Sequence, residues 1–154
     1  MFKLIELGCK VADVHHRYDR IHGALFGASS FRLLVYVLRG SQNSVYREFA
    51  AELKALQEEL NRLEAQVSNP DGEVHASGIE CEIHEVMVDY TQALRNAIAS
   101  LKHIYENIQR DEKAYRDAGA DGRSRFTVDK LEYDRLLAEL ERLGTRLNKL
   151  FANY

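Results

Sequence analysis

The chain has 154 residues, of which 45% are hydrophobic and 29% charged, an ordinary balance for one globular domain with its own core. A net charge of −3 provides no general attraction for nucleic acid or an anionic membrane. The longest apolar run, residues 33–38, is far shorter than the roughly 20 residues that span a bilayer, and the first residues lack a signal peptide's apolar segment. We therefore expect one cytoplasmic helical domain over residues 1–154, with reduced cysteines and no membrane or nucleic-acid partner.

The first predicted element is a helix near residues 2–26. In a helix, apolar residues spaced alternately three and four apart fall on one face. This spacing holds for Leu4, Leu7, Val11, Val14, Tyr18, Ile21 and Leu25. Glycine and serine at 27–30 then indicate a turn between helices.

A second helix is predicted near residues 30–68, ending before the turn signal at 69–72. Its apolar stripe runs through residues 40–44, which are mostly poor helix formers. An alternative layout extends the first helix through residue 39 and places the turn at 40–44. The sequence leaves both layouts open, and matched helix lengths favour the turn at 27–30.

The third and fourth helices are predicted near residues 78–118 and 127–153, with Thr127 as the N-cap of the fourth. Alternating spacing again defines their apolar faces. The fourth predicted stripe is Leu131, Leu136, Leu140, Leu143, Leu147, Leu150 and Tyr154.

These lengths predict an all-α fold, an antiparallel up-down-up-down four-helix bundle, because short connections make successive helices antiparallel neighbours. The two middle helices are longer than the outer ones. The excess length, residues 55–91, is predicted to project as a helical hairpin arm.

The predicted arm carries most of the protein's negative charge. It holds nine acidic residues and one arginine, a net charge of −8, which leaves +5 on the rest of the chain. An acidic hairpin of this kind would dock on a basic surface of a protein partner. The candidate contacts are Glu58, Glu59, Glu82 and Glu85.

Self-association is a second expectation for the arm. Two helices alone could not cover its apolar stripes, and exposed apolar surface favours association, most simply as a homodimer. The stripe residues concerned are Leu56, Leu60, Leu63, Ile83 and Val86.

An alternative function is a metal- or cofactor-binding bundle. The predicted helices are aligned at one end of the bundle, and counting residues from that end gives similar positions along the bundle axis for His15, Gln42, His103 and Glu139. In such folds, imidazoles and carboxylates that face the interior bind metals. The glutamate–histidine spacing of di-iron bundles is absent, so the alternative rests on His15, His103 and Glu139 alone.

A further alternative comes from residues 17–22, which contain Arg17 and His22 in the R-x4-H spacing. This resembles the short pattern of helical ribonucleases of the HEPN class. The resemblance implies phosphate binding by Arg17 and acid–base chemistry by His22.

No nucleophile elbow, phosphate-binding glycine loop or zinc-ligand spacing occurs in the sequence. The leading hypothesis is therefore a non-enzymatic protein that needs no cofactor and acts by binding another protein, as an adaptor, chaperone or regulatory inhibitor.

Overall fold

The computed structural model describes residues 2–26, 42–68 and 78–153. These residues form four α-helices and no strand: α1 (Phe2–Phe26), α2 (Gln42–Ser68), α3 (Gly78–Arg116) and α4 (Arg125–Ala152). The predicted all-helical class with four helices is confirmed. The choice of first turn concerns residues 27–41, which lie outside the described residues, and residues 42–44 belong to α2.

The apolar stripes form one continuous core. Leu53 and Leu60 of α2 and Leu94 of α3 have no exposed surface, and Val14 and Ile21 of α1 are equally buried. Burial of such side chains stabilises each helix by about 2 kcal/mol per residue, more than the helix propensities contribute. The core therefore determines how these amphipathic segments pack.

The longest helix, α3, is the centre of this core. It approaches α1, α2 and α4, whereas α1 otherwise approaches α2 alone among the described residues. Its buried residues extend from Ile83 to Tyr115. The other three helices are therefore arranged around α3.

The contacts of α2 with α1, and those of α2 with α3, run in opposite order along the two helices. Arg17 and Arg20 of α1 pair with Glu59 and Glu52 of α2, so the residue numbers rise on one helix and fall on the other. Between α2 and α3, Arg95 pairs with Glu64 at 2.7 Å. His84 lies further toward the start of α3, and its ring contacts the carbonyl of Val67.

Residues 69–77 of the predicted arm lie outside the described residues, and the rest of the segment 55–91 is not clear of the outer helices. Glu59 pairs with Arg17 of α1, and Glu82 pairs with Arg146 of α4 at 2.8 Å. The apolar residues expected to be exposed there are all buried within the one chain: Leu56, Leu60, Leu63, Ile83 and Val86. The expected exposure of these residues is wrong because α1 and α4 lie alongside this part of α2 and α3. The expectation of self-association depended on that exposure, so it loses its basis.

Asp111 interrupts α3 near its end. Its backbone is extended (φ −163°, ψ 89°), and its side-chain Oδ1 accepts a hydrogen bond from the Ala114 N–H at 3.0 Å. An aspartate in this role caps a new helical turn. That turn brings Tyr115 into the core, where its hydroxyl donates to Asp129 of α4 at 2.7 Å.

The start of α4 differs from the prediction. Ser124, not Thr127, is the N-cap, and its Oγ accepts a hydrogen bond from the Thr127 N–H at 3.1 Å. Phe126 packs edge-on against Tyr115, which brings the preceding residues into the first turn. The helix phase also places Leu131 at the surface (58% exposed) and buries Tyr133 completely.

We expect Ser124→Ala to lower the free energy of unfolding by about 1 kcal/mol, because the Thr127 N–H loses its acceptor at the helix start. Urea denaturation followed by circular dichroism measures the change. Ser124→Thr retains a capping hydroxyl and serves as the control. Equal losses in the two variants would contradict a capping role for Ser124.

Candidate functional site

One seam of the bundle is open. Among the described residues, no Cα of α1 lies within 8 Å of a Cα of α4, although α3 approaches both helices. The gap holds a groove of about 690 Å³ between residues 5–22 of α1 and 137–151 of α4. Met87 and Tyr90 of α3 contribute to its lining. We call this space the seam groove.

Small residues give the seam groove its depth. Gly8 and Ala12 line it from α1, and Gly144 lines it from α4. A Cβ at Gly144 would lie 3.2 Å from Cε2 of Tyr90, and a Cβ at Gly8 would lie 3.5 Å from Cζ of Phe151. Larger side chains at these positions would therefore press on the rings or fill part of the space.

A row of aromatic rings begins along the inner side of the seam groove and continues beyond its lining residues. Successive ring centroids lie between 5.6 and 6.3 Å apart. We call this the aromatic row, and its members are Tyr90, His15, Tyr18, His22, Tyr133 and Phe26. Contributions from α1, α3 and α4 make the row a bridge across the open seam.

Hydrogen bonds connect the polar ends of the aromatic row. The Tyr133 hydroxyl lies 2.8 Å from Nδ1 of His22 and also contacts the Tyr18 hydroxyl. The Tyr90 hydroxyl lies 2.7 Å from Nδ1 of His15. Side chains thus join α1 to α4 and to α3 at places where the backbones of α1 and α4 stay apart.

Burial determines the protonation of this network. Loss of solvent lowers the pKa of His15 and of His22, and the opposing charge of Asp19 does not restore either value. Burial also raises the pKa of Tyr90 to about 12 and that of Tyr133 further. Near pH 7 the imidazoles and the phenols of this network are therefore all neutral.

The exposed rim of the seam groove is acidic. Asp19 lies on the α1 side and Glu141 on the α4 side, both exposed and without an ion-pair partner among the described residues. The lining residues include no lysine or arginine. The groove thus combines an apolar interior with negative charge on both edges.

The predicted metal ligands do not come together. His15 is bonded to Tyr90, exposed His103 lies 3.4 Å from Asp129, and Glu139 pairs with Arg142 on the surface of α4. No group of three or more metal-ligating side chains occurs in the described ranges. The sequence prediction compared only the positions of these residues along the bundle axis. It did not consider the side of each helix from which the side chains project.

The predicted partner-binding carboxylates divide into two pairs. Glu59 and Glu82 are half-buried in ion pairs with Arg17 and Arg146. Glu58 and Glu85 are exposed, and the structure gives neither carboxylate an ion pair among the described residues. Of the four carboxylates, only those of Glu58 and Glu85 therefore remain available to a partner.

The ribonuclease-like pair is also separated. Arg17 points toward α2, where it binds Glu59, whereas His22 points toward α4, where it bonds to Tyr133. Five residues along a helix correspond to a rotation of about 140°. The two side chains therefore face different neighbours.

The sequence interpretation missed the hydroxyls of the aromatic row. It treated tyrosines in the apolar stripes as core packing, and it did not include Tyr133 in the stripe of α4. The signal was present in the residue type, because a buried tyrosine needs a hydrogen-bond partner where a phenylalanine does not. The histidines at the edge of α1 were the available partners.

Comparison of the chain with protein-family models, curated proteins and solved structures gave no match. Within the described ranges, none of the helices has the length and apolar character needed to cross a membrane.

We expect Tyr133→Phe to lower the free energy of unfolding by about 1–2 kcal/mol, because His22 and the Tyr18 hydroxyl both lose their partner. Tyr18→Phe should cost less, since the hydrogen bond between Tyr133 and His22 remains. Urea denaturation at pH 7.5 compares the two variants. An equal or larger loss for Tyr18→Phe would contradict the assignment of both hydrogen bonds to Tyr133.

Stability should also fall with decreasing pH below about 6.5. Because burial lowers the folded-state pKa of His15 and His22, the unfolded chain takes up protons first as the pH falls. Their contribution is complete above the unfolded pKa and is lost as the pH approaches the folded values. Denaturation between pH 7.5 and 5.5 tests this, and a His15→Gln/His22→Gln variant should show a flatter profile. Parallel profiles would contradict the assignment.

Proposed function

We propose that this chain is a non-enzymatic helical protein that acts by binding another protein. The open seam between α1 and α4 carries the proposal. The described helices bury their apolar stripes against one another, and between α1 and α4 a groove of about 690 Å³ remains, with Ile5 46% exposed in its lining. An open apolar groove with a polar rim is a common form of protein-binding surface.

The up-down-up-down arrangement of the helices is part of this proposal. It is supported by the order of the contacts, which run in opposite directions between α1 and α2 and between α2 and α3. Tyr115 with Asp129, and Glu82 with Arg146, give the same order for α3 and α4. In such a bundle α1 and α4 are neighbours, which is why a groove can form between them.

Acidic residues on α2 and α3 remain candidate contacts, but fewer than the sequence suggested. Glu59 and Glu82 are engaged with arginines of α1 and α4, so their replacement would disturb the bundle itself. Glu58 and Glu85 are exposed. We propose that these two carboxylates attract the partner's basic surface and speed its encounter.

We expect Glu58→Lys combined with Glu85→Lys to reduce recovery of the partner by about tenfold, equivalent to about 1.4 kcal/mol, because two attractions become repulsions. The immobilised protein is incubated with extract of its host cells, and retained proteins are quantified by mass spectrometry.

The matched control is Glu48→Lys with Asp117→Lys, which changes the net charge equally at exposed positions away from Glu58 and Glu85. Equal recovery by both double variants would remove the acidic contacts from the proposal. If the wild-type protein retains nothing above an empty matrix, the proposed function itself is contradicted.

A further inference from the structure

We propose that the seam groove docks a single amphipathic α-helix of the partner, with aliphatic side chains on its buried face and lysine or arginine along its edges. This inference rests on the proposed function and names the element of the partner that is bound. Four properties of the groove support it: its length, its interior, its internal hydrogen bonding and its charge.

The length of the seam groove matches a helix. Its lining extends from Ile5 to His22 on α1, which corresponds to about 26 Å at the helical rise. A partner helix of about 18 residues has the same length. A compact small molecule would leave most of this distance empty, whereas a helix lying between α1 and α4 would contact it throughout.

The interior suits a row of aliphatic side chains. Ala12 and Gly144 leave space along the two walls, and Ile5, 46% exposed, adds accessible apolar surface at one end. Residues spaced three and four apart on a partner helix would enter this space from one face.

The polar groups beneath the groove do not require a polar ligand. The hydroxyls of Tyr133 and Tyr90 already bond to His22 and His15. Near pH 7 the imidazoles are neutral because burial lowers the pKa of each. An occupant that brought its own buried hydroxyl or carboxylate would have to displace these bonds, whereas an aliphatic face leaves them intact.

Charge on the rim determines the edges of the occupant. Exposed Asp19 and Glu141 lie on opposite walls, and the lining residues include no lysine or arginine. A helix in the groove would have one edge near each carboxylate. Basic residues on both edges would therefore be attracted, and acidic residues would be repelled.

The experiment uses a synthetic peptide of about 18 residues with leucines on one helical face and lysines elsewhere, labelled for fluorescence anisotropy. A scrambled peptide of the same composition separates amphipathic docking from general attraction to an acidic protein. A third peptide replaces the lysines with glutamates. At physiological ionic strength we expect micromolar binding of the amphipathic basic peptide, and binding at least about tenfold weaker for the other two.

Two sets of variants locate the binding site. Ala12→Trp should fill the groove and weaken binding by at least about tenfold, whereas Ala55→Trp, at an exposed alanine of α2, should not. Asp19→Lys with Glu141→Lys should weaken binding of the basic peptide and improve binding of the acidic one. This second variant leaves the apolar interior unchanged, so the test does not depend on the folding of Ala12→Trp.

The inference is overturned if the scrambled peptide binds as tightly as the amphipathic one, or if neither set of groove variants alters binding. It is also overturned if light scattering shows a wild-type dimer that Ala12→Trp converts to a monomer, because the occupant is then a second copy of this chain. The groove proposal can fail while host extract still yields a partner. Conversely, peptide binding by a protein that retains no cellular partner supports the groove and contradicts the proposed function.

Discussion

Burial of α3 against three other helices is the constraint on which the arrangement of this protein depends. Leu94, Ile98 and Leu101 are completely inaccessible to solvent, and the helix has buried residues from near its start to its last turn. Because α1 packs closely on both α2 and α3, it lies away from α4. The open seam is therefore a consequence of α1 burying its apolar face against α2 and α3.

Tyrosine and histidine side chains span this seam in place of close helix packing. The hydrogen bond between Tyr133 and His22 joins two helices across a gap. Aliphatic side chains could join them only by filling that gap with close-packed atoms. The hydrogen bonds connect α1 to α4 while leaving space beside them. Stability and the candidate binding site are thus linked, because His15, His22 and Tyr90 take part in these hydrogen bonds and also line the groove.

The negative charge of the chain has two different roles. Glu59, Glu64 and Glu82 form ion pairs between helices, and such partly exposed pairs contribute modestly to stability. Asp19 and Glu141 pair with nothing among the described residues and stand at the groove. A count of charges along the sequence could not separate these roles, because ion pairing depends on which helices become neighbours.

The sequence by itself determined the helices and the faces they bury. Spacing of three and four residues positions Val11, Val14 and Tyr18 on one side of α1 wherever that helix packs, and all three are buried. It predicted Thr127 as the N-cap of α4, where the structure has Ser124, and it placed Leu131 on a face that tertiary packing assigned to Tyr133. The candidate site could not be predicted, because periodicity specifies a direction around each helix and not the distance to the next one. Only the tertiary structure separated α1 from α4, paired Glu59 and Glu82 internally, and joined His22 to Tyr133 across the gap, since each of these contacts depends on residues far apart in the chain.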